Sequence, residues 1–249
     1  MADRMEARDQ WFVFDVDGTL TESRKKICPS FKDWFLTNMP MTRVALVTGS
    51  DREKTVEQLG EDFWEKCAFS LQCGGNEVYQ FGSLVRSEVW RPHEDLTSAL
   101  NRELSESKYD TRKRFGNHIE LRAGMLNFSI VGRNAVGQQR VDYSAYDKKT
   151  NERQEIAQRI RDSFLGIDAF CGGDTGIDIF PVGRDKSQTM SLLGPNLMFF
   201  GDRCDEMGND FPLAQAIEAN KNGHNGVFRV SGPPSVYHYL ESLVSWLSE

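Results

Sequence analysis

The sequence predicts an α/β protein in which a parallel-sheet domain is interrupted by an inserted α+β module. Three observations carry this reading. Near both ends of the chain, short apolar runs ending in acidic or hydroxyl residues alternate with amphipathic helical segments. In the middle, apolar and polar residues alternate one by one, as they do in antiparallel strands. The apolar-run pattern then resumes.

Residues 11–15, WFVFD, are an apolar run ending in an acid, which predicts a strand buried on both faces. Pro29 opens a segment with Phe31, Trp34 and Phe35 at helical spacing, so a helix with proline in its first turn is expected. RVALVTGSD over 43–51 is a second apolar strand ending in a polar turn. Ser50 and Glu53 have capping-box spacing for a helix running toward Gly60.

In the middle, NHIELR over 117–122 places Ile119 and Leu121 on one side and His118, Glu120 and Arg122 on the other. GMLNFSIV over 124–131 sets Leu126, Phe128 and Ile130 against Met125, Asn127 and Ser129. A helix is expected near 146–165, with Ile156, Ile160 and Phe164 on one face. GIDIF over 176–180 sets Ile177 and Ile179 against Gly176 and Asp178. Strands of this kind suit an antiparallel sheet with one side uncovered.

NLMFFGD over 196–202 and GVFRV over 226–230 are further apolar strands, and a C-terminal helix carries Val236, Leu240, Leu243 and Leu247. The expected organisation is a core of residues 1–83 and 187–249 split by an inserted module at 84–186. The cleft between them is the expected site.

At 249 residues the chain has room for one large domain or two modest ones. With 39% hydrophobic and 27% charged residues it carries enough apolar material for a packed core. The net charge of −7 argues against nucleic acid as a partner, and leaves room for a small anionic substrate held by local positive charge. No apolar run reaches the roughly 18 residues of a membrane span, and the first ten residues, MADRMEARDQ, lack the apolar segment of a secretory signal. The five cysteines are odd in number and none sits in a C-x-x-C pair, which favours reduced thiols in the cytoplasm over disulfides or a zinc site. His93, His118, His224 and His238 show no metal-ligand spacing and read as structural or exposed, and Cys204 reads as a passive thiol.

The chemistry concentrates at strand ends, where ligands of open α/β sheets bind. Asp15-Val16-Asp17-Gly18-Thr19 places two carboxylates in a tight turn after the first strand. Oxygen ligands of this kind suit Mg²⁺, and one aspartate is a candidate nucleophile that forms an acyl phosphate. Thr48-Gly49-Ser50-Asp51 offers hydroxyls and backbone N–H groups to a phosphate, although Ser50 reads equally as a plain helix cap. Lys186 offers a positive charge, and Asp202 with the later Asp210 offers further carboxylates for a cation. On the polar face of the inserted module stand Arg122, Asn127, Arg133, Arg140 and Asp178. Arg133 and Arg140 need a turn between them to converge, which the glycines of VGRNAVGQQR can provide. Three converging arginines make a phosphate clamp.

FDVDGTLT (14–21), VTGSD (47–51), Lys186 and GDRCDEMGND (201–210) together resemble the haloacid dehalogenase superfamily of phosphotransferases. The resemblance implies that Asp15 is phosphorylated and that Asp17 is the general acid/base. It also implies Mg²⁺ held by Asp15, Asp202 and the backbone carbonyl of Asp17, and a Rossmann-like core with a parallel sheet.

RKK (24–26), IELRAGMLNFSIVGR (119–133), Arg140, DKK (147–149) and GIDIFPVGRDK (176–186) are similar, in this order, to eukaryotic-type phosphomannomutases, over most of the chain. The resemblance implies that Arg122, Arg133 and Arg140 hold a distal phosphate, with Arg24 and Asp178 also touching substrate. It implies sugar-phosphate substrates, a hexose 1,6-bisphosphate activator, a cap that supports a homodimer, and a place in GDP-mannose biosynthesis. Gly176 stands where the family has a serine, Thr48 begins the family's G-G-S-D, and the stretch after Asp210 lacks the family's second cation site. Two activities are therefore expected as alternatives: a phosphomannomutase, and a sugar-phosphate phosphatase that uses the same aspartates but admits water.

Overall fold

Two β-sheets take up the two sequence patterns separately in the computed structural model, which describes residues 10–247, the side chains of 244–247 excepted. β1 (Trp11–Phe14) leads to α1 (Pro29–Asn38), β2 (Val44–Val47), α2 (Arg52–Leu59), α3 (Glu61–Lys66), β3 (Phe69–Gln72), β4 (Glu77–Gln80) and β5 (Ser83–Ser87). The middle of the chain forms α4 (Glu94–Glu106), β6 (Ile119–Arg122), β7 (Met125–Phe128), α5 (Gln138–Thr150), α6 (Glu152–Ser163), β8 (Ile167–Gly172) and β9 (Gly176–Pro181). The chain then adds α7 (Gln188–Leu193), β10 (Leu197–Gly201), α8 (Phe211–Ala219), β11 (Gly226–Arg229) and α9 (Pro233–Leu247).

The first sheet has the order β11-β10-β1-β2-β3-β4-β5. β11 through β3 run parallel, and β4 and β5 append an antiparallel hairpin. The central strands β1, β2 and β10 are apolar because both of their faces are covered. Phe12, Phe14, Val44, Leu46 and Phe200 face one layer, with Phe35 of α1, Phe63 of α3 and Val236 and Leu240 of α9. Val13, Ala45, Val47, Leu197 and Phe199 face the other, with Leu213, Ala214 and Ile217 of α8. Leu243 packs on the first layer, and the side chain of Leu247, expected on the same helix face, lies outside the described residues.

The second sheet is antiparallel, with the order β6-β7-β9-β8. Leu126, Phe128, Ile177 and Ile179 pack against Leu96 and Leu100 of α4, Tyr143 of α5 and Ile156, Ala157 and Ile160 of α6. The alternation over 124–131 and 176–180 thus has the expected phase. The uncovered polar face does not follow, however: β7 is buried along its whole length. Its polar side is turned onto the first domain, where Asn127 and Asp178 are 4% and 3% exposed.

Other expectations change in detail. Residues 84–87, placed in the insertion by sequence, pair as β5 with β4 at the edge of the first sheet. The helix expected over 146–165 is two helices. They are parted at Asn151, whose left-handed φ of 55° is one that asparagine tolerates. Asp147 holds the break by accepting from Arg153 N at 2.9 Å and Arg153 Nε at 2.7 Å. Leu121, expected on the apolar side with Ile119, is 62% exposed, because β6 is an edge strand. Cys204 is buried, and burial pushes its thiol pKa up, as suits a passive thiol.

Candidate active site

The parallel strands β1, β2 and β10 deliver their following turns to one edge of the sheet. Asp15 N donates to Phe200 O at 2.9 Å, which carries the β1–β10 pairing one residue beyond β1 and fixes where the acidic turn begins. Asp15 is 4% exposed. Gly18 has a φ of +81°, and a Cβ there would lie 2.4 Å from Asp202 Oδ2. Only glycine lets this turn reach the carboxylate that follows β10.

Lys186 stands at the centre of the acidic groups. Its Nζ donates to Asp15 Oδ1 at 2.7 Å and to Asp210 Oδ1 at 2.6 Å. Burial works against its charge, but the carboxylates of Asp15 and Asp210 outweigh burial and raise its pKa, so it stays protonated. Carboxylate oxygens of Asp15, Asp202 and Asp210 lie within 4.8 Å of one another. Burial and the neighbouring Asp210 push the Asp202 carboxyl up to about 7. A hard, oxygen-only donor set crowded in this way fits a cation such as Mg²⁺.

The Asp17 carboxylate is not part of this trio. It accepts from Arg24 N at 2.6 Å and Gln58 Nε2 at 3.1 Å, and Ser50 Oγ lies 3.5 Å away. The expectation that Ser50 caps the next helix is corrected. Asp51 is the cap of α2, accepting from Lys54 N at 3.0 Å, because its side chain reaches the first turn from an extended backbone. Ser50 is thereby left facing the site.

The second domain supplies Arg122, Arg133 and Arg140, and the first domain adds Arg24. Arg24, Thr48, Ser50, Arg122, Asn127, Arg133, Arg140 and Asp178 line one cavity of about 50 Å³ together with Asp15, Asp17 and Asp202. Every sequence-expected site residue except Lys186 and Asp210 borders it, and Lys186 sits behind Asp15 and bonds Asp210. Gly132 and Gly137 lie between Arg133 and Arg140 or beside them with φ of 87° and 47°, the turn that their convergence requires. Burial and the mutual repulsion of these cations lower the pKa of Arg24, Arg133 and Arg140, as in a site built for an anion. A wider cleft of about 760 Å³ adjoins the cavity and shares Ser23, Arg24, Ser50 and Arg140 with it.

Several residues of the site escaped sequence reasoning. Gln58 holds Asp17 and Thr21 from α2, and nothing in its local sequence signals this. Asn209 donates to Asp178 Oδ2 at 3.0 Å, so the two domains meet beside the cavity. Glu120 accepts from Arg122 Nε at 2.7 Å and Arg133 Nε at 2.8 Å. Its only sequence signal is that it shares a strand face with Arg122.

Asn127 donates to Asp178 Oδ1 at 2.7 Å and leans over Gly176, where a Cβ would stand 2.6 Å from Asn127 Nδ2. A serine at this position therefore does not fit beside Asn127 as it stands. Gly176→Ser is expected to destabilise the protein by about 1–3 kcal/mol, as overpacking does. Chemical denaturation measures it, and an unchanged midpoint would mean that Asn127 swings away freely.

The family model described as eukaryotic phosphomannomutase matches residues 31–229. Among curated proteins, the probable phosphomannomutase of Caenorhabditis elegans is 29% identical over 94% of this chain and 95% of its own length. Phosphomannomutase 1 of Mus musculus is 33% identical over 81% of each chain. The phosphomannomutase of Galdieria sulphuraria is 32% identical over 89% of this chain and 91% of its own. Among solved structures, a haloacid dehalogenase-like hydrolase from Bacteroides thetaiotaomicron has a TM-score of 0.55 at 16% identity, covering 94% of this chain and 99% of that one. Plasmodium falciparum IMP-nucleotidase has a TM-score of 0.61 at 16% identity, covering 94% of this chain and 70% of that one. At these identities the solved structures establish the fold alone.

Proposed function

The chain belongs to the eukaryotic phosphomannomutase family, and from that premise we propose that it interconverts mannose 6-phosphate and mannose 1-phosphate through a hexose 1,6-bisphosphate. The observation that carries the reading is the meeting of Asp15 and Asp17 with Arg24, Arg122, Arg133 and Arg140 around one cavity. Acids on one side and cations on the other are what a doubly phosphorylated sugar needs: one phosphate reacts while the other is held.

In this reading an Asp15 carboxylate oxygen attacks a phosphorus of the bisphosphate and forms the aspartyl phosphate. The phosphorus–ester oxygen bond breaks, and Asp17 gives its proton to the departing sugar oxygen. In the return step a sugar hydroxyl attacks the aspartyl phosphate and passes its proton to Asp17, which regenerates the Asp15 carboxylate. The hydrogen bonds from Arg24 N and Gln58 hold Asp17 for both roles. The sugar turns round between steps, so the clamp must accept either phosphate. Lys186 holds Asp15 in line and offsets charge beside it. Mg²⁺, held by Asp15, Asp202 and the Asp17 backbone carbonyl with Asp210 beside them, would supply further charge neutralisation.

Water must be kept from the aspartyl phosphate. The contacts Arg122 to Gly49 O, Lys54 to Glu120 and Asn209 to Asp178 join the domains across the site and support exclusion of water. They favour the mutase over the phosphatase alternative. The wider cleft adjoins the cavity through Ser23, Arg24, Ser50 and Arg140 and would serve as the entrance when the cap moves to load substrate. The reading extends to a homodimer through the cap, for which Leu121 on the edge strand offers exposed apolar surface. It also extends to a cytoplasmic setting with no membrane or nucleic-acid partner. Among the described residues no helix is long and apolar enough to cross a membrane.

Phosphorus NMR tests the proposal with purified protein, mannose 1-phosphate, Mg²⁺ and a trace of glucose 1,6-bisphosphate. Mannose 6-phosphate is expected to appear only when the bisphosphate is present, with little inorganic phosphate. Inorganic phosphate without the 6-phosphate would make the protein a phosphatase.

A further inference from the structure

The arginine clamp contains an acid of its own. Glu120 on β6 accepts from Arg122 Nε through Oε1 at 2.7 Å and from Arg133 Nε through Oε2 at 2.8 Å. Lys54 of α2, in the first domain, donates to the same Oε1 at 2.8 Å. Partial burial opposes the Glu120 charge, but Arg122, Arg133 and Lys54 together hold its carboxyl well below the usual range, so it is a fixed anion. The choice of atoms matters. Glu120 takes the Nε of Arg133 and leaves that guanidinium's two terminal nitrogens for a ligand. Arg122 is turned by the same carboxylate so that its Nη1 reaches Gly49 O of the first domain.

We propose that Glu120 is a positioning residue and the resident counter-anion of the clamp: it aims Arg122 and Arg133 at the distal phosphate and balances their charge when that phosphate leaves. The inference rests on the mutase reading, in which the bisphosphate must quit the clamp and turn round in every cycle. Asp178 beside Arg122, Asp174 beside Arg140 and Asp17 beside Arg24 offset part of the clamp's charge, but without Glu120 between Arg122 and Arg133 the clamp would hold a phosphate dianion too tightly for that exchange. Glu120 weakens the hold without occupying the groups that make it. Its bond to Lys54 also ties the clamp to the first domain.

Glu120→Gln keeps the length and one acceptor oxygen and removes the charge. Inorganic phosphate, titrated by calorimetry at fixed ionic strength, is expected to bind about tenfold tighter to this variant. KM and kcat for the mutase reaction are expected to fall together, about fivefold or more, because substrate is held more tightly and released more slowly. A residue that merely supports the fold would do the opposite, raising KM and weakening phosphate binding, and either result would overturn the proposal, as would unchanged phosphate affinity. Glu120→Asp keeps the charge on a shorter arm and is expected to bind phosphate within about twofold of the unaltered protein. It carries the test if the glutamine variant does not fold, since tenfold tighter binding with the charge retained contradicts the counter-anion role. Arg133→Ala marks the clamp contribution. If the unaltered protein binds no phosphate that this variant loses, the clamp itself is misassigned and the mutase reading fails, a result distinct from failure of the Glu120 role.

Discussion

Asp15→Asn is expected to lower turnover by about 10⁴-fold or more while the protein stays folded. An amide cannot serve as the phosphoryl acceptor at neutral pH, and no neighbouring carboxylate can stand in. Asp210 is pinned by Lys186 and by Arg203 N, and Asp17 by Arg24 N and Gln58. Asparagine keeps the shape and leaves an oxygen for Lys186. It also removes one of three mutually repelling carboxylates. The melting temperature is therefore expected to hold or to rise slightly. Stopped assays with mannose 1-phosphate and a trace of bisphosphate check the first point, and calorimetry the second. Retained turnover would remove the aspartyl phosphate from the mechanism.

Lys186→Met is expected to produce the largest loss of stability, about 3–5 kcal/mol, because it leaves a buried acidic cluster without its cation. Lys186 is 2% exposed and bonds both Asp15 and Asp210. Methionine fills most of the volume, so the loss reports charge rather than a cavity. For a chain of this size the melting temperature is expected to fall by about 6–20 °C. Added Mg²⁺ is expected to recover part of that fall, since a cation bound by the remaining carboxylates stabilises the folded state by mass action. Thermal melts with and without Mg²⁺ measure both effects. A variant as stable as the unaltered protein would mean that the acidic trio is neutralised by proton uptake and that Lys186 acts only in chemistry.

The parts legible in the sequence share a cause. β1, β2 and β10 are covered on both faces and therefore had to be apolar throughout. Their chemistry-bearing turns follow at once in the chain, so Asp15, Thr48, Ser50 and Asp202 could be located without coordinates. Arg122, Asn127 and Asp178 were legible because they alternate with core residues of β6, β7 and β9. β4 and β5 were not, since β5 is exposed at every position and has no apolar phase. The break at Asn151 was missed because both flanking helices carry the same kind of pattern, and only a left-handed backbone and the Asp147–Arg153 pair part them.

The sequence by itself therefore determined the class of fold, the family, the acidic turn and the arginines that meet at the cavity. These depend on periodicity and on motifs a few residues long, which chain order preserves. Tertiary structure alone decided that Asp210 rather than Asp17 completes the acidic trio, that Asp51 and not Ser50 caps α2, and that Glu120 bridges Arg122 and Arg133. It also decided that Gln58 and Asn209 reach Asp17 and Asp178. Each of these turns on which of several similar polar groups finds its partner across the fold. That choice is settled by distances between elements far apart in the chain, where a shift of one ångström makes or removes a hydrogen bond.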